Sequence, residues 1–239
     1  MEAVMIQKIK LEDVINIFYA REYAYDILRR FFIEEPSKEY LKPFVHQNMI
    51  DLFPFQEESE GIREGINDIK EYLATHDPVH DVQNYEDLHW DYTRMFIGPF
   101  ELPVSPWESA YVTKDRLLFQ ETTLTIRKLY AKYDFQTVDL IEADDHFGLE
   151  LDFMYHLNQL SIESSQPDNP NALAEVSYLL REQQSFIENH LSKFIPEITE
   201  KIEEHAETKF YIGLAKILRH YLLLDSTVLK ELLNIDLEK

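Results

Sequence analysis

The sequence predicts an all-α protein, and three observations lead to that prediction. Apolar residues recur at intervals of three and four along most of the 239-residue chain, which is the spacing of one face of a helix. The chain has only five glycines, whereas sheet proteins need glycine at their turns. No segment shows a convincing alternation of apolar and polar residues. We therefore expect nine or ten helices in a single globular domain that spans residues 1–239.

The first half of the chain predicts four helices, at about 11–34, 38–53, 57–76 and 82–97. Pro36, Pro54 and Pro78 follow the first three of these and would end them, because proline cannot continue a helix. The residues at helical spacing that form the apolar faces are Val14, Phe18, Tyr25 and Leu28 in the first helix, Ile62, Ile66, Ile69 and Leu73 in the third, and Leu88, Tyr92 and Met95 in the fourth.

The second half continues the helical pattern. A fifth helix is expected at about 114–133 and a sixth from the segment "EADDHFGLELDFMYHL" to about residue 163. Asn169 is a candidate N-cap for a seventh helix over about 170–191, with Pro170 in the first helical position that proline tolerates. The remaining residues predict two or three helices, the last capped by Asp225 or Ser226.

Composition and charge exclude several classes of protein. The net charge is −22, and an acidic chain repels phosphate backbones, so no nucleic acid is expected as a partner. The acidic surface either keeps the chain soluble or attracts a basic partner. The absence of cysteine excludes disulfides, zinc–thiolate sites and thiol nucleophiles. The N-terminus does not resemble a signal peptide and no apolar stretch reaches ~20 residues, so we expect a cytoplasmic protein without stable membrane insertion.

Motifs for catalysis are weak. The segment Glu86–His89 has the Glu-x-x-His spacing of di-iron bundles, but a complete site needs a second such motif, which the sequence lacks. No nucleophile elbow, phosphate loop or dinucleotide fingerprint occurs. We therefore expect a protein that is not an enzyme and holds no metal or cofactor. A helical metal-dependent enzyme and a general helical scaffold for protein partners stay open as alternatives.

A long apolar loop interrupts the helical pattern at "MFIGPFELPVSPWESAY", residues 95–111. Pro99, Pro103 and Pro106 fix three φ angles, so this segment stays extended at low entropic cost. Its apolar content, which includes Phe100 and Trp107, is large for a loop. The loop is either a connector packed on the core or a rigid wall for an apolar ligand.

The start of the sixth helix, "ADDHFGLELDFMYHL", combines acids with a histidine. Asp144 or Asp145 is a candidate helix cap, and His146 and Glu150 share one helical stripe. The simpler interpretation is a capping aspartate with a surface histidine paired to Glu150. The functional interpretation is a small polar cluster at the mouth of an apolar groove.

Together the two segments resemble the TorD/DmsD family of chaperones for molybdenum redox enzymes. The match extends over about residues 85–160, and Ala143 departs from it, where the family has a proline. The first segment matches at Tyr92, Phe96, Gly98, Pro99, Pro103, Pro106, Ser109 and Tyr111, and the second at Asp145, His146, Gly148 and Glu150.

The resemblance implies a TorD-like helical fold and a non-enzymatic chaperone. Such a chaperone would bind the N-terminal twin-arginine leader of a molybdopterin oxidoreductase catalytic subunit, assist cofactor insertion and prevent premature export. In that role Asp145 would contact a leader arginine, His146 would order that carboxylate or donate to the leader's backbone, and Phe100 and Trp107 would cover the leader's apolar part. All matched residues except Gly148 are expected to line the leader site. A monomer and a homodimer are both compatible with the sequence.

Overall fold

The computed structural model describes residues 8–99, 101–113, 121–137 and 142–238, and within them the fold is helical as predicted. The described part holds ten α-helical segments, one of them a single turn, and two three-residue strands. In chain order the elements are β1 Lys8–Lys10, α1 Leu11–Phe32, α2 Lys38–His46, α3 Glu60–Thr75, α4 Val82–Phe96, α5 Ser109–Val112, α6 Glu121–Lys132, α7 Phe147–Ser164, α8 Ala172–Phe186, α9 Ser192–His205, α10 Lys209–Asn234 and β2 Asp236–Glu238.

Two helix pairs form the framework of the core. In the pair α3–α10, Gly65 faces Gly213, and a Cβ atom on Gly65 would lie 2.5 Å from the carbonyl oxygen of Gly213. In the pair α1–α7, a Cβ atom on Gly148 would lie 2.5 Å from the Cα of Ile33 and from the carbonyl oxygen of Phe32. Glycine therefore allows both helix pairs to approach at backbone distance. The second contact fixes the start of α7, where the histidine motif begins.

The prediction that Asp225 or Ser226 caps a last helix is wrong. Helix α10 runs without interruption from Lys209 to Asn234, and Asp225 lies inside it, buried against α1. Its carboxylate accepts hydrogen bonds from the Nε of Arg21 at 2.6 Å and from the Nη2 at 3.0 Å. A buried charge needs such a partner, so this aspartate serves packing between helices rather than helix initiation.

Several predicted helix bounds shift. Asn48, with φ of 49°, separates α2 from a 3₁₀ turn over Met49–Leu52, so the second predicted helix is in two parts. Helix α8 begins at Ala172 rather than at Pro170, and the backbone N–H of Asn171 donates to the side chain of Asn169. A five-residue π-helical segment, Ile187–Leu191, links α8 to α9 and is called the π-turn below. Residues 114–120 of the fifth predicted helix lie outside the described residues.

The strands β1 and β2 pair in parallel, with Lys8 opposite Asp236. None of the described helices is long and apolar enough to cross a membrane.

Candidate functional site

The proline loop and the start of α7 are in direct contact. Trp107 and His146 form an antiparallel bridge pair. The N–H of Phe147 donates to the carbonyl of Pro106 at 2.8 Å, and the N–H of Glu108 donates to the carbonyl of Asp145 at 2.9 Å. The two segments that carry the resemblance therefore form one structural unit.

Asp145 is fully buried at the centre of this unit. Its Oδ2 accepts a hydrogen bond from the backbone N–H of Ser109 at 3.0 Å, and its Oδ1 accepts one from the hydroxyl of Thr123 at 2.8 Å. Asp145 thus fastens the turn α5 and the helix α6 to the start of α7. Because both oxygens are engaged by internal donors, the carboxylate does not reach the surface in this conformation.

His146 caps α7, so the prediction that Asp144 or Asp145 is the cap is wrong. The Nδ1 of His146 accepts a hydrogen bond from the N–H of Gly148 at 3.1 Å, which places the ring proton on Nε2. Burial lowers the pKa of His146 to about 4, although the nearby carboxylate of Asp145 acts in the opposite direction. The ring is therefore neutral near pH 7. Asp144 instead accepts a hydrogen bond from Arg127 at 2.7 Å.

Glu150 is also fully buried, so the interpretation of a surface histidine paired with Glu150 is wrong. Burial, followed by the charges of Glu108 and Asp145, raises the pKa of Glu150 well above its usual value. Glu108 was not among the predicted site residues, yet it is buried beside Glu150. The sequence carried no local signal for this burial, because Glu101 in the same apolar loop is exposed whereas Glu108 is buried.

The other predicted site residues differ in exposure. Tyr92 and Phe96 belong to the core, and the hydroxyl of Tyr92 donates to the carbonyl of Phe32 at 3.3 Å. Gly98 has φ of 98°, a conformation that suits glycine at the exit from α4. Phe100 lies outside the described residues. Of the rest, Pro106 and Ser109 are buried, Pro103, Trp107 and Tyr111 are half-buried, and Pro99 is exposed.

A surface cavity of about 470 Å³ lies between the proline loop and α9. The hydroxyl of Tyr111 donates to the carbonyl of Ser105 at 2.7 Å, which holds the loop closed on itself. The ammonium group of Lys201 lies 4.9 Å from the centre of the Tyr111 ring. We call this cavity the loop groove; it is lined by Glu101, Leu102, Pro103, Ser105, Ala110, Tyr111 and Lys201. It offers apolar side chains together with one charge of each sign.

The Glu86–His89 motif lies on α4, within the described residues. Glu86 is exposed on α4, and the Nε2 of His89 lies 3.7 Å from a carboxylate oxygen of Glu35. Among the residues that the structure describes, no group of three or more histidine, aspartate or glutamate side chains is arranged to hold a metal ion.

Comparison with known proteins places the chain in a family. The family described as nitrate reductase delta subunit matches residues 56–200, more than half of the sequence. The chain belongs to this family. It is 25% identical over 199 residues to the chaperone protein TorD of Vibrio parahaemolyticus, with 83% of this chain and 89% of that protein covered. It is 26% identical over 210 residues to TorD of Vibrio vulnificus, with 87% and 94% covered.

A shorter match links the chain to the second branch named in the resemblance. The chain is 36% identical over 64 residues to the Tat proofreading chaperone DmsD of Salmonella typhimurium, covering 26% of this chain and 31% of that protein. The resemblance to the TorD/DmsD family is therefore confirmed. These relatives are named as chaperones rather than as enzymes, in agreement with the expected class.

Proposed function

We propose that this protein is a molybdoenzyme maturation chaperone that binds the N-terminal twin-arginine leader of a molybdopterin oxidoreductase catalytic subunit. Family membership and the chaperone relatives support the maturation role. The observation that carries the leader site is the loop groove, which lies between α9 and the proline loop that is attached to the start of α7.

The groove suits a segment with a basic start and an apolar continuation. Leu102, Pro103 and Tyr111 are half-buried, so an apolar ligand can cover them without rearrangement of the core. Because the prolines already restrict the loop, ligand binding orders few additional torsions on the chaperone. Glu101 is exposed at the groove and is a carboxylate that an incoming arginine can reach. The net charge of −22 would raise the association rate of a basic leader.

In this proposal Asp145 and His146 hold the site instead of touching the leader. The carboxylate of Asp145 is occupied by Ser109 and Thr123, and His146 is buried as the cap of α7. Both residues fix the loop to the helix, so their replacement would displace Trp107 indirectly. The leader arginines would contact exposed acids, with Glu101 first among them.

We further propose that the chain acts as one domain in the cytoplasm, holding the apoenzyme until its cofactor is inserted. Occupation of the leader would keep the client from export during that time. The chaperone itself would need no cofactor.

Calorimetric titration with synthetic leaders tests the proposal. One peptide carries adjacent arginines followed by an apolar stretch, and the control replaces both arginines by lysines. We expect tighter binding of the arginine peptide, since guanidinium groups pair with carboxylates in two-point contacts. Equal affinity for both peptides would identify a general apolar scaffold instead.

The two tryptophans provide a matched pair of variants. In this proposal the half-buried side chain of Trp107 contacts the apolar part of the leader where it extends beyond the loop groove. Loss of an aromatic anchor costs about 2 kcal/mol, so Trp107→Ala should weaken leader binding roughly thirtyfold. Trp90→Ala should leave it unchanged, because Trp90 is 58% exposed and lines a different cavity, between α3, α4 and the start of α10. Similar affinities for both variants, each shown to be folded by circular dichroism, would remove Trp107 from the site.

Charge is tested in the same way. Glu101→Gln should lower the affinity for the arginine peptide. The control Glu64→Gln removes the same charge at an exposed position of α3, outside the loop groove, and should change the affinity less. Equal effects of the two variants would mean that only the overall field matters.

A further inference from the structure

Glu108 is fixed by both its backbone and its side chain. Its N–H donates to the carbonyl of Asp145, and its own carbonyl accepts from the N–H of Tyr111 at 2.9 Å. The carboxyl group is buried, with its oxygens 3.0 and 3.3 Å from the Nδ1 of His190. Glu108 therefore joins the loop, α7 and the π-turn at one point.

Neither carboxyl oxygen of Glu150 has a hydrogen-bond partner among the residues that the structure describes. Glu150 is 0% exposed. Burial, and next the neighbouring charges of Glu108 and Asp145, raises the pKa of Glu150 well above its usual value. Two buried carboxylates that are close to each other repel, which favours a proton on Glu150.

His190 is brought to this pair by the π-turn. A π-turn widens the helix locally and is frequently associated with function. Here it places the His190 ring on the ring of Phe186, 4.9 Å between centres, with Nδ1 directed at Glu108. The ring also lines a cavity of about 200 Å³ between α6, α7 and α8.

We propose that Glu108, protonated Glu150 and His190 form a proton-sharing carboxyl lock that holds the Trp107 segment against α7 and the π-turn. The hydroxyl of Glu150 donates to one oxygen of Glu108, and the Nδ1–H of His190 donates to the Glu108 carboxylate. These are positioning residues: they act on a ligand only through the loop. The consequence for leader affinity rests on the proposed function, whereas the lock itself does not.

The surroundings favour this protonation state. Asp145, which precedes the cap of α7, adds negative charge near the pair, and its oxygens accept hydrogen bonds from Ser109 and Thr123. From α6, Tyr130 is buried, and burial followed by the charge of Glu150 raises its pKa well above the usual value. In the described part of the chain, no lysine or arginine pairs with Glu108 or Glu150, so His190 is the only basic partner there.

Opening of the lock should depend on pH. In the closed state Glu150 keeps its proton, whereas in an open state exposed to water it ionises near its ordinary value. Above that value the opening equilibrium constant should rise about tenfold per pH unit, until Glu150 also ionises in the closed state.

Amide hydrogen exchange on the full-length chain measures this opening without any ligand. The relevant amides are those of Glu108 and Phe147, which bridge the loop and α7; amides in α3 and α10 report global unfolding. After correction for intrinsic exchange rates, the protection of the Glu108 and Phe147 amides in the wild type should fall about tenfold per pH unit. Glu150→Gln keeps a donor for Glu108 but cannot ionise, so its protection should not change with pH. An unchanged slope in Glu150→Gln would overturn the proposal.

Loss of either partner should open the lock at all pH values. Glu108→Gln and His190→Gln should both lower protection at Phe147 while leaving α3 and α10 protected. His205→Gln, at an exposed position of α9, is the matched control and should change neither. Full protection of Phe147 in both variants would refute the lock. Leader titration of the same variants is separate: a confirmed lock with unchanged leader affinity would contradict the proposed leader site and leave the lock intact.

Discussion

The buried ion pair between α1 and α10 provides the most direct test of what holds the fold together. Arg21 donates two hydrogen bonds to Asp225 and a third, from Nη1 at 2.7 Å, to the Oδ1 of Asn158. Arg21 and Asp225 are essentially unexposed. The substitution Arg21→Met keeps most of the apolar stem and removes the charge. Among the described residues, it leaves the hydroxyl of Tyr25, at 2.7 Å, as the remaining side-chain donor to the carboxylate of Asp225.

The expected effect is large because an uncompensated charge stays in the core. Removal of one partner of a buried pair destabilises by about 3–5 kcal/mol. A domain of ordinary stability unfolds with about 5–15 kcal/mol, so this single change should remove a substantial part of the total. The double variant Arg21→Met with Asp225→Asn removes the orphaned charge and keeps an acceptor for Tyr25. It should regain part of the loss.

Urea denaturation followed by circular dichroism gives the free energy of unfolding of each variant. Arg181→Met, at an exposed position of α8, controls for the chemistry of the substitution and should change stability by less than about 0.5 kcal/mol. If Arg21→Met loses no more than the control, the pair contributes nothing beyond packing. If the double variant is no more stable than the single one, the loss does not come from the uncompensated carboxylate.

Two further predictions concern the start of α7. Gly148→Ala places a Cβ atom against the backbone of Phe32 and Ile33, so we expect the free energy of unfolding to fall by about 1–3 kcal/mol and the melting temperature to drop. An unchanged melting temperature would show that α1 and α7 separate easily. The pKa of His146 is lowered to about 4, so the native state binds its proton later than the unfolded chain as pH falls. The free energy of unfolding should therefore drop by about 1.4 kcal/mol per pH unit between pH 6.5 and 4. The variant His146→Asn keeps a cap acceptor and should lose this contribution. Equal slopes of unfolding free energy against pH in the variant and the wild type would contradict the prediction.

The sequence was sufficient for the helical class because periodicity and scarce glycine are local signals. It also identified the two segments that meet in the structure, since their residues matched a family pattern. It could not distinguish a helix cap from a buried partner. Asp225 has the residue type of a cap, and only its contact with Arg21, 204 positions away, shows its role. In the same way Asp144 and Asp145 are better cap formers than His146, but tertiary contacts engage them elsewhere.

Two other features arise from contacts that no local pattern encodes. The π-turn places His190 next to Glu108, which lies 82 positions earlier in the chain. The acid that we expect to contact a leader arginine is Glu101 rather than Asp145, because Asp145 is buried and Glu101 is exposed. This difference depends on how the loop folds back, which no local pattern encodes. The N–H of Val104, for example, donates to the carbonyl of Met95, which closes the loop onto α4.

The short strand pair has a consequence for the order of folding. Lys8 lies opposite Asp236, so β1 and β2 can pair only when almost the whole chain between them has been brought together. Closing such a long loop is entropically unfavourable until other contacts have shortened it. The strands should therefore pair last, after the helices have assembled, and separate first when the protein begins to unfold. In a kinetic experiment this sheet would act as a reporter of completed folding.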